Sequence, residues 1–252
     1  AAHIEQIRLR KDLNADALFA TMRSGFEKIK DHRPGQVKHT LADTLMSAFA
    51  MFSLKDPSLL AFDCRRLDDP DNLKTIYGMA TIPSDTSMRE ILDPVDPTLL
   101  RPLFKDAFRP LQRGKVLEKM VFMEEGYLLN LDGTGYFSSS KLYSPACLEK
   151  KSRSGKITYH LQAVGAAVVH PGFREVIPLC PEIIRKQDGT TKQDCERNAV
   201  RRMLVKLRQD HPHLKFIVNE DSLASNAPHI RDLRELGFRY ILGVKEGDHK
   251  FL

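Results

Sequence analysis

The sequence predicts a mixed α/β protein (α+β or α/β): a helical N-terminal region over residues 1–120, then a mixed sheet with flanking helices over residues 121–252. Two observations carry this division. Up to about Leu111 the apolar residues recur at i, i+3 and i+4, the period of amphipathic helices. From Tyr127 onward they gather into short apolar runs of strand length, separated by two helical stretches. A chain of 252 residues with 42% hydrophobic and 29% charged residues is long enough to bury a core and has a globular composition.

The helical region reads in order from its caps. Asn14 is placed to cap a helix through Leu18, Phe19, Met22, Phe26 and Ile29, with Pro34-Gly35 as its stop. A second helix, His39 to Lys55, carries Leu41, Leu45, Ala48, Phe49 and Phe52 on one face. Pro57 opens a third over Ser58 to Arg66, and Leu67 to Asn72 reads as a polar break. Ser84 caps Asp85 to Leu92, and Asp96-Pro97 starts a helix reaching about Leu111. Such a region is either a DNA-binding, partly helix-turn-helix element or a helical scaffold; periodicity does not separate the two.

In the second half, Tyr127 to Leu131, Thr158 to Val169 and Arg174 to Leu179 read as strands, the last two joined by a Pro171-Gly172 turn. Asp194 caps a helix from Cys195 to about Gln209; Leu214 to Asn219 is a fourth strand. Ala227-Pro228 opens a helix closed by Gly237, and Phe238 to Val244 is the fifth strand. Three antiparallel strands followed by helix-linked strands is a ribonuclease H-like order, in which the first and fourth strands lie side by side.

That order gives two aspartates a shared address. Asp132 ends the first strand in Asp132-Gly133-Thr134-Gly135, and Asp221 ends the fourth. Asp-Gly is also ordinary turn chemistry. Paired carboxylates at one sheet edge suit Mg²⁺, which binds through one or two carboxylates plus substrate phosphate and keeps several waters. The net charge of +6 favours a polyanionic partner.

The chain resembles the DDE-type transposases of bacterial insertion sequences, of the insertion sequence four kind, over roughly residues 36–252. The resemblance rests on Asp132-Gly133-Thr134, on Asn219-Glu220-Asp221-Ser222-Leu223-Ala224 continuing into Asn226-Ala227-Pro228-His229-Ile230, and on Gly243-Val244-Lys245-Glu246-Gly247-Asp248-His249. It implies a DNA-cutting and DNA-joining ribonuclease H-like core that uses two aspartates and one glutamate on Mg²⁺, with Mn²⁺ as an alternative ion. Asp132 and Asp221 are the positions carried over, with the adjacent Glu220 the alternative to Asp221. The family's glutamate lies on a helix after the fifth strand; Glu246 comes too early, so the third acid is expected beyond Leu252. The resemblance further implies double-stranded transposon-end and target DNA as partners, a homodimer, and a bacterial cytoplasmic, nucleoid-associated location. A non-catalytic DNA-binding remnant lacking the third acid is the alternative reading.

Glu196, in the first turn of its helix, is either a supplementary metal ligand or a carboxylate favoured by the helix dipole. Lys141, Lys150, Lys151, Arg153 and Lys156, between the first two strands, either follow a DNA backbone or form a solvated loop. Arg197, Arg201, Arg202 and Arg208 read as a solvated helix face, and His160 and His170 as structural or surface residues. Cys64, Cys147, Cys180 and Cys195 have no zinc-site spacing and read as reduced thiols. No apolar run has transmembrane length, so no membrane partner is expected.

Overall fold

The computed structural model describes residues 13–145, 147–185, 195–245 and 247. The chain divides into two compact units between Lys115 and Val116.

Among its described residues the first unit holds six α-helices: α1 (Ala15–Glu27), α2 (Leu41–Ser53), α3 (Leu59–Asp68), α4 (Pro70–Tyr77), α5 (Asp85–Leu92) and α6 (Arg101–Arg113). Asn14, Thr40, Ser58 and Ser84 each cap a helix by accepting a backbone N–H, as their short polar side chains favour. Helix α1 stops at Lys28, well before Pro34-Gly35, because the Lys28 N–H folds back to Gly25 and Phe26. The stretch after it is tied down by Asp31, whose carboxylate accepts from Arg33 and from the Leu41 N–H at the head of α2. The polar break expected over residues 67–72 is instead the start of α4. Asp69 accepts the Asn72 N–H at 3.3 Å and Pro70 occupies the first helical position, where its missing N–H costs nothing.

Met46, Ala50, Phe62 and Met88 lie at the fully buried centre of this unit. Asp43 is buried among them, with only 1% of its side chain exposed. It accepts from Arg23, from the Ala80 and Thr81 N–H groups at 3.3 and 3.1 Å, and from the Thr81 hydroxyl at 3.2 Å. Burial pushes its pKa up, but these bonds outweigh burial and hold it below the ordinary value.

The second unit contains β1 (Val121–Phe122), β2 (Gly126–Ser139), β3 (Leu148–Lys151), β4 (Ile157–Val169), β5 (Ile177–Ile184), α7 (Glu196–Asp210), β6 (Phe216–Glu220), α8 (Ala227–Glu235) and β7 (Arg239–Leu242). One mixed sheet runs β3-β4-β2-β6-β7, with β5 also on β4. β2 is antiparallel to β4 and parallel to β6, which is parallel to β7. This is the ribonuclease H-like arrangement expected from the element order.

Three local features differ from expectation. β2 does not stop at Leu131: it runs through Asp132-Gly133-Thr134-Gly135 to Ser139, paired along β4, with a bulge between Gly135 and Phe137. Asp132 opposite Gly165 is therefore a strand residue and not a turn residue. The connection read as a basic loop contains β3, which pairs with β4. β5 starts at Ile177 and runs to Ile184, later than the expected Arg174 to Leu179. Asp194 lies outside the described residues, and Cys195 holds the cap position of α7.

Residues paired across a sheet share a face. Leu129, Leu131, Val164, Val168 and Val218 form the buried face. Helix α7 covers that face through Ala199, Met203, Leu204 and Leu207; burying each of the three larger side chains stabilises the unit by about 1.5–3 kcal/mol. Glu182, opposite Val164, pairs with Arg202 at 3.0 Å and Lys206 at 2.6 Å. Arg208 is likewise not on a solvated face. It stacks over Phe238 at 4.3 Å and donates to the Leu214, Leu236 and Gly237 carbonyls, closing the end of α7 over two loops.

Candidate active site

The site is built from the β2–β6 pairing. Asn130 and Asn219 sit opposite each other in parallel register, and their side chains hydrogen-bond at 2.8 Å. Two residues further on, the alternation of side chains brings Asp132, midway along β2, and Asp221, just beyond the end of β6, to the same face. Both are exposed.

Asp221 is the first residue beyond β6. It caps the 3₁₀ turn Ser222–Ala224, and its Oδ1 accepts the Leu223 N–H at 2.9 Å. The backbone after β7 packs on this turn: the Gly243 N–H donates to the Glu220 carbonyl at 3.0 Å. A Cβ at Gly243 would lie 3.0 Å from the Ser222 nitrogen. Gly243 thus shapes this edge by direct contact. Glu246, Asp248 and His249 of the terminal motif lie outside the described residues.

Glu220 faces the other way. Its Oε2 is 2.6 Å from Nε2 of His229, and the two side chains are only 7% and 12% exposed. The carboxylate beside Asp221 is therefore engaged with α8 and turned from the Asn130–Asn219 face.

Glu196, the first residue of α7, reaches the site from the buried face. Its carboxylate lies against the bare backbone of Gly133: a Cβ there would be 2.4 Å from Oε2 and 2.6 Å from Cδ. Glycine at 133 is what allows the approach. Glu196 is exposed as a residue, but the desolvation of its carboxyl against the Gly133 backbone, then the charges of Asp132, Asp221 and Glu220, push it above its ordinary pKa. All four influences act in the same direction, so Glu196 stands close enough to the other carboxylates to be repelled by them. Hard oxygen donors in a field of that sign are the chemistry of a divalent-cation site. Among the described residues, no three His, Cys, Asp or Glu side chains are gathered into a ready-made metal cage. The aspartates offer an open edge.

The five basic residues lie apart from this edge. Lys150 and Lys151 are on β3, Arg153 and Lys156 at its turn into β4, and Lys141 just after β2; all are exposed. The β3–β4 hairpin meets β2 at Ser139, seven residues beyond Asp132. That separation is about 20 Å at ~3.3 Å per strand residue, allowing for the bulge. His170 is structural, accepting the Gly172 N–H and packing on Phe173. None of the four cysteines is in a disulfide.

His229 was not singled out by the sequence beyond its place in a motif. The signal that finds it is positional: it is the third residue of a helix opened by Asn226, where a side chain folds back toward the preceding segment.

No helix among the described residues is long and apolar enough to cross a membrane. No protein-family model matches the chain, and no curated protein does. Among solved structures the chain is similar to that described as a cryo-EM structure of a piggyBac transposase synaptic complex with hairpin DNA, at 14% identity and a TM-score of 0.45. The match covers 97% of this chain and 53% of that one, so the chain spans about half the length of that transposase.

Proposed function

We propose that the chain is the catalytic part of a DNA transposase of the insertion sequence four kind, which hydrolyses a phosphodiester at a transposon end and joins the freed 3′-hydroxyl to target DNA. The observation that carries the reading is the pairing of β2 with β6. It brings Asp132, within β2, next to Asp221, just past the end of β6, with Glu196 close enough to feel their charge.

In this reading Asp132 and Asp221 would hold a divalent cation, Mg²⁺ or Mn²⁺, and Glu196 would supplement them from the Gly133 side. A cation bound there supplies stabilisation of the charge on the attacking and leaving oxygens of an in-line displacement. The chain's own contribution is orientation. The Leu223 N–H fixes one Asp221 oxygen. Pairing to Gly165 fixes the Asp132 backbone. Gly133 removes the side chain that would hold Glu196 away. Water first and the 3′-hydroxyl second act as nucleophiles, so no covalent enzyme intermediate forms. The exposed cations of the β3–β4 hairpin hold the backbone of double-stranded DNA, about six base pairs from the cut at 3.4 Å per step. A homodimer acting on paired ends follows from the sequence resemblance.

The test is Mg²⁺-dependent nicking of terminal-repeat DNA by the full-length protein. Asp132→Ala and Asp221→Ala should each abolish nicking while DNA retention persists; nicking that survives both substitutions removes the proposal.

A further inference from the structure

We propose that His229 is a positioning residue for Asp221: bonded to Glu220, it closes the loop that carries the aspartate and sets where its free oxygen points. The inference rests on the metal-site reading above and adds a residue to it.

The loop begins at Glu220, the last residue of β6, and returns to it at His229, in the first turn of α8. Between them Asp221 caps the 3₁₀ turn, Asn226 accepts the His229 N–H at 3.2 Å, and the Asn226 amide donates to the Ala224 carbonyl at 3.2 Å. The His229–Glu220 contact of 2.6 Å ties the two ends together. A carboxylate only accepts, so the imidazole Nε2–H is the donor. Both side chains are sunk below the surface. The bond is therefore shielded from water, which would otherwise compete for both groups.

The geometric consequence falls on Asp221. Its Oδ1 is committed to the Leu223 N–H, so the direction of the remaining oxygen follows the backbone of the turn. A ligand site tolerates about 0.5 Å of misplacement. Strand pairing fixes the turn at Glu220, where the Gly243 N–H also binds its carbonyl. At the other end the fixing comes from α8, and the His229 bond is a side-chain link between that helix and the strand. Breaking it leaves Glu220 buried without its donor, and a carboxylate in that position moves toward water and draws the adjacent residue with it.

The experiment is Mn²⁺ binding to the full chain, followed by calorimetry and by electron paramagnetic resonance, with thermal melting of each variant. His229→Ala should weaken Mn²⁺ binding about tenfold or more, the usual cost of removing a group that orients a ligand. His229→Gln, whose amide nitrogen reaches as far as Nε2, should restore binding. His229→Asn, whose nitrogen falls short of Glu220, should not, and it serves in place of the alanine variant if that one does not fold. Val218→Ala, a core truncation in the same strand, should lower the melting temperature and leave the affinity alone. Wild-type affinity in folded His229→Ala or His229→Asn overturns the inference, as does an equal loss in Val218→Ala. If Asp132→Ala and Asp221→Ala lose Mn²⁺ while His229→Ala keeps it, the positioning role alone fails. A wild-type chain that takes up no Mn²⁺ overturns the metal site with it.

Discussion

Gly133→Ala should reduce DNA cleavage without destabilising the protein. The added Cβ would sit 2.4 Å from Oε2, 2.6 Å from Cδ and 3.0 Å from Oε1 of Glu196. Ordinary contact begins near 3.5 Å, so the carboxylate must retreat by about 1 Å. Gly133 lies in paired strand and is not among the positive-φ residues, so alanine is sterically acceptable to the backbone. The end of a glutamate side chain moves cheaply. Replacing glycine inside a strand with alanine is itself favourable by roughly 0.5–1 kcal/mol. The melting temperature should therefore hold or rise. A misplacement of about 1 Å near the reacting centre can cost a hundredfold in rate. With Glu196 supplementing the two aspartates, a loss of about ten- to a hundredfold is expected, matching Glu196→Gln. The double variant should be no worse than either single, because both act through one side chain. The assay is Mg²⁺-dependent nicking of terminal-repeat DNA beside a thermal melt. Cleavage at the wild-type rate in both single variants would refute the role of Glu196. Loss in Gly133→Ala alone would mean that the glycine serves the approach of DNA and not of the glutamate.

Other outcomes follow from the same structure. Because burial and neighbouring carboxylates raise the Glu196 pKa, the folded state disfavours its ionised form, and stability falls as pH rises from the ordinary glutamate pKa through the raised one. Glu196→Gln should thus melt higher than wild type at neutral pH in metal-free buffer, and the gap should close below about pH 4.3; a gap that widens on acidification contradicts the charge crowding. In the helical unit, Asp43→Ala leaves Arg23 with Glu27 alone and strips two backbone N–H groups of their acceptor, and should cost about 1–3 kcal/mol, read as a shift in the urea midpoint. Replacing Lys150, Lys151, Arg153 and Lys156 together with alanine should lower the slope of log affinity against log salt by about 0.9 for each phosphate no longer neutralised, up to about 3–4 in all. An unchanged slope would place DNA elsewhere.

The strand order was legible because the second half punctuates itself: Pro171-Gly172, His211-Pro212 and Gly237 separate apolar runs whose sequence admits few arrangements. With that order, the adjacency of Asp132 and Asp221 followed. Local propensity misled where tertiary pairing overrode it. Asp132-Gly133-Thr134-Gly135 looks like a turn, but β4 supplies a full-length partner, and Gly133 serves as space for Glu196. β3 was hidden because Leu148 to Lys151 has one apolar residue and three charged ones; only its pairing to β4 makes it a strand. Helix α4 was signalled by Asp69-Pro70, yet its density of polar residues read as a break. The roles of Arg208 and Glu220 depend on what packs above them, which periodicity along one element does not contain.

The two aspartates differ in mechanical footing. Asp132 is stitched into the longest strand of the sheet, so the backbone around it should open to solvent only when the second unit unfolds as a whole. Asp221 stands on a single 3₁₀ turn held by a few bonds, which can open and close locally many times during one opening of the strand. One carboxylate is thus an anvil and the other a spring. In amide exchange, Leu129 and Leu131 would be among the last to exchange and Leu223 among the first. A ligand that bridges the pair would show itself as slowed exchange at Leu223, with the strand beneath Asp132 scarcely changed.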